Sequence, residues 1–294
     1  MSELSDKHWE NFLYARTPKH WHAIWLRYSP DGALTSKFHA ERIFKPLTDG
    51  IDGTQMHVIY HYDDERGTVS EGPQSGPWNI TKEAHSAADG LQHPSQTVMT
   101  TLMLPGGPSA WCKKLSSFGT DYNASEMFLH HGEQLRMSAG VVQNADGSLK
   151  QLSLIREADP AFDGWAESTE ATTTTPDGLA ACLDASGFGK SDRHWPSGSR
   201  YTGIGHAITA DLQQRNLVIP FADTRIATAD ADQDVILLCP DNVAIIAPKQ
   251  RKAGAPFSYA AAWWPSSESF VLYTIEAIWD GEGALQEVRH MAYK

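Results

Sequence analysis

Arg156 is the residue whose position most invites chemistry. In the run Leu152-Ser153-Leu154-Ile155-Arg156, a period of two puts it on one face with Leu152 and Leu154. If that face is interior, a guanidinium points into apolar space, where it needs acceptors or an aromatic ring. Trp21 and Trp25 could supply the ring through cation–π stacking. A ligand carboxylate or oxyanion could supply the acceptors instead. Stacking asks for less and is the preferred account. Arg136 alternates against Leu135, Met137 and Ala139, so it is expected to face solvent if those three face inward.

The chain has 13 His. His20 and His22 share one strand face, close enough to chelate, with Trp21 and Trp25 on the other. His57 and His61 also share a face, but about 13 Å apart, too far for one ion. His130-His131 beside Gly132 reads as the start of a turn. Spacing supplies no third ligand for any pair, so no metal is expected. Asp184 to Ser191 ends like a phosphate loop, yet Asp184 stands where the first Gly belongs and no helix pattern follows, so a surface loop is the simpler reading. Glu126, Glu276 and Glu287 show no paired partner. Other nucleotide, hydrolase and metalloprotease motifs are absent, and no cofactor is expected.

Composition narrows the partners. The formal charge is −12, which repels a phosphate backbone, so nucleic acid is excluded. Three scattered Cys without CxxC spacing argue against a disulfide framework and for a reducing compartment. Met1 to Asn11 is polar and acidic, and no apolar run nears the roughly 20 residues of a membrane span, so a soluble cytoplasmic protein is expected. Ten Trp is rich for 294 residues, and aromatics suit both pleated surfaces and cavity walls. Trp263 and Trp279 fit a core more readily than a cavity wall.

The elements that must position these residues are short alternating runs broken by turns. Examples in the first half are Trp21–Tyr28, Met56–Tyr62, Val98–Leu104, Glu126–His131, Leu135–Val142 and Leu149–Glu157. Tyr201–Leu212, Asn216–Phe221, Asp234–Cys239, Val243–Ala247, Phe257–Trp263, Phe270–Trp279 and Leu285–Ala292 form the second. Asp-Gly and Pro-Gly turns at this spacing indicate an all-β sandwich or barrel. One short helix is expected at His8–Leu13, with Asp6 as N-cap. The ends of the two halves echo each other. Leu135–Val142, Asn144-Ala145-Asp146-Gly147 and a return strand match Val271–Trp279, Asp280-Gly281-Glu282-Gly283 and a return strand. The echo predicts two tandem antiparallel modules, residues 1–160 and 161–294. The join lies in Ala158–Pro176, whose Thr172–Thr175 run could also be an edge strand.

Three stretches carry a family resemblance. Trp9-Glu10-Asn11-Phe12-Leu13, then Trp21, Trp25 and Tyr28-Ser29-Pro30-Asp31-Gly32, resemble the start of a calycin-superfamily group of unknown function common in cyanobacteria and algae. Asp146-Gly147-x-Leu149-x-x-Leu152-x-Leu154-Ile155-Arg156-Glu157 resembles the end of its first module. Leu238-Cys239-Pro240-Asp241-Asn242-Val243 and Phe257 to Trp263 resemble its second. The Gly of a lipocalin-type Gly-x-Trp start is missing, since Lys19-His20-Trp21 and Ala23-Ile24-Trp25 stand there. The resemblance implies paired lipocalin-like barrels and brings no catalytic residues. Barrel architecture and aromatic richness favour a carrier of a hydrophobic small molecule, an isoprenoid, tetrapyrrole or lipid. The alternatives are a cofactor-free cyclase, isomerase or lyase, and a scaffold with filled barrels. Ligand contacts are expected from Trp25, His57, His61, Arg156, Trp263 and Trp279. The sequence sets no oligomeric state.

Overall fold

The structure, a computed structural model, describes residues 2–16, 20–46, 53–63, 68–82, 85–86, 90–93, 96–119, 123–185, 202–265 and 271–293. The phosphate-loop-like stretch past Ala185 lies outside them.

The fold is antiparallel β throughout. Strands β1 (His20–Tyr28), β2 (Leu34–Pro46), β3 (Gly53–Asp63), β4 (Thr68–Ile80), β5 (His85–Ser86), β6 (Gly90–His93), β7 (Gln96–Met103), β8 (Ser109–Lys113), β9 (Asn123–His131), β10 (Leu135–Gln143) and β11 (Leu149–Ala158) make one sheet. Its order is β4-β3-β2-β1-β11-β10-β9-β8-β7-β6-β5, so the last strand pairs with the first. Strands β12 (Thr172–Thr173), β13 (Thr202–Thr209), β14 (Gln214–Pro220), β15 (Asp234–Cys239), β16 (Val243–Pro248), β17 (Phe257–Trp263), β18 (Leu272–Trp279) and β19 (Leu285–Tyr293) make the other. Its order, β12-β15-β16-β17-β18-β19-β13-β14, joins the last strand, β19, to β13, the first long one. The Thr-rich stretch is an edge strand, pairing Thr172 with Leu238.

The first sheet curls. Arg42 on β2 lies four strands from Glu126 on β9, about 19 Å away in a flat sheet, yet their side chains meet at 2.7 Å. Helix α1 (Glu3–Arg16) plugs this barrel-like sheet. Its Trp9 and Phe12 pack with Trp21, Phe44, Leu91, Met103, Trp111 and Phe128. The helix is longer than the sequence suggests. Ser2 Oγ accepts from Ser5 N, so the cap is Ser2 and Asp6 lies inside the first turn. A second helix, α2 (Pro176–Ala185), precedes β13 as α1 precedes β1, and its Leu179 and Leu183 enter the second core. It is the one described α-helix the strand pattern hid. Its signals are the Thr175 cap on Gly178 N at 3.1 Å, Pro at the first position and two Leu four apart.

The hairpin echo is structural. Asn144 N donates to Ser148 O at 2.9 Å and Gly147 N to Asn144 O at 2.9 Å. Asp280 N donates to Ala284 O at 3.0 Å and Gly283 N to Asp280 O at 3.1 Å. Each turn also reaches the other module. Gly147 O accepts from Arg251 N and Leu149 N donates to Lys249 O, while Gly283 O accepts from Ser116 N and Leu285 N donates to Lys114 O. The contacts β11 on β16 and β10 on β17 recur as β19 on β8 and β18 on β9. The halves therefore pack about a pseudo-two-fold, as in an isologous dimer. Another echo carries no glycine in its second copy. Ser29–Gly32 and Thr209–Leu212 close the same turn, with Leu212 at φ 67 and fully buried. A Leu in this left-handed position masks the turn, so Tyr201–Leu212 reads as one strand although β13 ends at Thr209.

The packing surface is the outer face of both sheets. Leu102, Leu129, Met137, Leu152 and Leu154 share one core with Val235, Ile245, Tyr259, Trp263 and Trp279. This face also fixes Arg156, which points at the second module rather than into the first. Its Nε lies 2.6 Å from an Asp241 carboxylate oxygen, and its Nη groups donate to Ala166 O at 2.9 Å and Ser168 O at 3.0 Å. The expected stack on Trp21 or Trp25 does not occur. Burial raises the Asp241 carboxyl above its usual range, against the opposing pull of the Ala166 N–H and Arg156.

Because the modules share a core, heat should unfold them together. Tryptophan fluorescence and far-UV circular dichroism are expected to give coincident single transitions; two separated transitions would refute this. Gly147 has φ 85 and Gly283 φ 82, and an added Cβ would sit 2.8 Å from Arg251 O or 2.5 Å from Ser116 O. Gly147→Ala and Gly283→Ala should each cost about 1–3 kcal/mol in denaturant titrations. Arg156→Met strands the Asp241 carboxylate and should destabilise by about 3–5 kcal/mol in the same titrations.

Candidate functional site

Alternation decides what the first barrel encloses. On β1, Trp21, Ala23, Trp25 and Arg27 point inward, and on β2 their register partners Arg42, Ala40, Phe38 and Ser36 do the same. On β9 to β11 the inward residues are Glu126, Phe128, Arg136, Ser138, Ser153, Ile155 and Glu157. Their outward neighbours, such as Leu152 and Leu154, are already committed to the second module.

Two guanidinium groups and two carboxyl groups meet inside. Arg136 Nε and Nη2 donate to Glu157 at 2.6 and 2.9 Å, a bidentate pair. Arg42 donates to Glu126 at 2.7 Å and lies 3.4 Å from Glu157. Ser138 Oγ donates to Glu126 at 2.8 Å. The Arg136 guanidinium also lies 4.2 Å over the Trp21 ring and 5.0 Å over Phe128. Burial pulls both guanidinium groups down. At Arg42 the two carboxylates more than reverse it, leaving that group raised, whereas Arg136 stays below its usual range despite Glu157. Both remain charged. Arg136 thus occupies the interior rather than solvent, and it holds the tryptophan that the sequence paired with Arg156.

Further along the same face, Trp25 stacks on Phe38 at 5.3 Å and lies 5.8 Å from the His57 ring. Arg27 covers this group, 4.8 Å over Phe38 and 5.8 Å over Trp25. Partial burial lowers its affinity for a proton. Its Nε is buried without a hydrogen bond, as is the Trp25 indole nitrogen, and Arg27 forms no ion pair among the described residues. Arg27 was not singled out by the sequence, nor was Arg42. Both depend on register, and β2 itself was missed because Arg42 interrupts its apolar alternation.

The sequence candidates separate accordingly. Trp25 and His57 come together. His61 lies on β3 two residues beyond Ile59, and its side chain is outside the described residues. Arg156 and Trp263 belong to the contact between modules, where Trp263 meets the His131 ring at 5.9 Å. Trp279 stacks on Phe257 at 4.9 Å, donates to Lys113 O at 2.9 Å, and lines a cavity of about 440 Å³ with Arg225, Asp234, Arg251 and Lys252. Arg251 there donates to Ser116, lies 4.8 Å over Phe257, and makes no ion pair among the described residues. No helix among the described residues is long and apolar enough to cross a membrane.

No curated protein matches this chain. Among solved structures, a DUF3598 protein of unknown function from Nostoc punctiforme aligns over 98% of both chains at 14% identity with a TM-score of 0.61, a likeness of fold alone. A transferrin binding protein B double mutant from Haemophilus parasuis, described as a vaccine antigen, aligns at 10% identity over 92% of this chain and 58% of that one. Its TM-score of 0.15 carries no argument. The family described as "Domain of unknown function (DUF3598), N-terminal" matches residues 5–162. That match spans more than half of the sequence, so the chain belongs to the DUF3598 family.

Proposed function

We propose that the first barrel binds a hydrophobic small molecule that carries an anionic group, as a fatty acid or a carboxylated tetrapyrrole does. The supporting observation is Arg27: a half-buried guanidinium laid on Phe38 and Trp25, with a free buried Nε and no carboxylate partner among the described residues. A cation held against an aromatic wall offers one face to an apolar body and a charge to its acid end. An uncharged isoprenoid would use only the wall. The cyclase, isomerase or lyase reading has less support. Glu126 and Glu157 already accept hydrogen bonds from guanidinium groups, so their oxygens are engaged within the protein.

The test uses protein purified from its own host, by native mass spectrometry and absorption spectroscopy, followed by titration of tryptophan fluorescence. The probes are oleate and biliverdin, with oleyl alcohol as the neutral control. At least one anionic probe should bind. Arg27→Met should weaken it about 10- to 100-fold, the value of one charge-assisted bond, and leave oleyl alcohol almost unaffected. Equal affinity of parent and variant for every anionic probe would overturn the reading, as would an absence of binding by all of them.

A further inference from the structure

The geometry points to a divalent-metal site at His20, His22 and Glu41, on the outer face of the first sheet and separate from the barrel interior. The sequence offers two imidazoles at one-residue spacing and no third ligand. The register of β1 on β2 supplies it, because His22 stands opposite Glu41. His20 and His22 lie on the same face of β1, with ring centroids 4.4 Å apart.

The two imidazole–carboxylate separations, each to a different Glu41 oxygen, match those of neighbouring ligands around an ion, and a small side-chain rotation would bring all three donors onto one. His20 Nε2 lies 3.1 Å from one Glu41 oxygen, and His22 Nδ1 lies 3.5 Å from the other. One donor atom from each of the three residues falls within 4.8 Å of the other two. Bonds of about 2.0–2.2 Å at tetrahedral to octahedral angles place neighbouring donors about 3.0–3.5 Å apart. The His20 contact, although short, lacks hydrogen-bond geometry, and Nε2 is buried without a hydrogen bond. An ordinary imidazolium–carboxylate pair would align the N–H with the oxygen.

Two further features suit a metal. The Tyr60 hydroxyl, from β3, donates to Glu41 at 3.3 Å, and outer hydrogen bonds of this kind fix the orientation of a ligating carboxylate. A cavity of about 210 Å³ opens against His22, His39, Glu41 and Tyr60 on one side and Asp163 and Trp165 on the other. Three protein ligands beside a cavity leave coordination positions for water or a small oxygen donor. Two imidazoles and a carboxylate suit zinc and its first-row neighbours rather than calcium or magnesium.

The experiment uses the full chain without an affinity tag, stripped with chelator and titrated with cobalt(II) and then zinc. The parent should take up one cobalt per chain, develop visible absorption bands, and lose them to zinc. His22→Ala and Glu41→Gln should each weaken cobalt binding about 100-fold or more, and Tyr60→Phe about tenfold. Circular dichroism and melting curves check that each variant is folded. Should His22→Ala fail to fold, the conservative Glu41→Gln and Tyr60→Phe decide the matter. A parent that takes up no stoichiometric metal overturns the site, leaving an imidazole–carboxylate surface pair. Uptake unchanged in folded Glu41→Gln overturns it equally.

Discussion

The apolar contact between the outer faces of the two sheets is the constraint on which the rest of the structure depends. Both faces of β15, β16 and β17 are buried, one inside its own module and one against the other. These strands accordingly read as continuous apolar runs such as Val243-Ala244-Ile245-Ile246-Ala247. The pseudo-two-fold follows from the same contact. Each closing hairpin must lie beside the segment that follows β8 or β16, and the glycine that ends each turn lets two backbones approach there.

That contact also inverts the first barrel. When Leu152 and Leu154 face the second module, Ser153, Ile155 and Glu157 must face inward, because a strand's side chains alternate. Charges reach the interior by phase, and they have to be paired there. Burying a guanidinium and a carboxylate together costs desolvation that their attraction only partly returns, so the Arg42–Glu126 and Arg136–Glu157 contacts say little about stability. They do fix where donors and acceptors stand. The second module holds a different set at equivalent positions. Counting back from the matched turns, Gly140 corresponds to Glu276, Ser153 to Arg289, Glu157 to Tyr293 and Arg136 to Leu272. Glu276 and Arg289 are register partners, and burial raises the Glu276 carboxyl. The scaffold is repeated while its contents are not.

Strand runs and closing hairpins were legible because alternation and Gly-ended turns are local. The phase of Arg156 was not. Period two groups it with Leu152 and Leu154, as found, but nothing local says whether that face meets the barrel's interior or another module. Assigning it inward moved Arg156 onto the wrong indole and Arg136 into solvent. Strand β2 was lost because its inner row, Phe38, Ala40, Arg42 and Phe44, contains a charge that only a cross-barrel carboxylate explains. With β2 went Glu41 and the setting of Arg27, residues that matter through neighbours on other strands. Trp263 and Trp279 were read as core, and each has one side in the shared contact.

The same contact divides the inside of the first barrel. Along the inner rows of β1 and β2, much of whose outer surface carries polar residues such as His20, His22, His39 and Glu41, stand Trp21, Trp25, Phe38 and Phe44. Along β9 to β11, whose outer surface is apolar and covered, stand Glu126, Arg136, Ser138 and Glu157. A barrel free on all sides would be greasy within and polar without. One that leans on a partner along part of its circumference must exchange the two there. The result is a curled sheet with an aromatic stretch facing a polar one, and Arg27 and Arg42 are the cations set against the aromatic side. The exchange follows from alternation alone, since a strand that turns its apolar residues to a partner turns its polar ones inward.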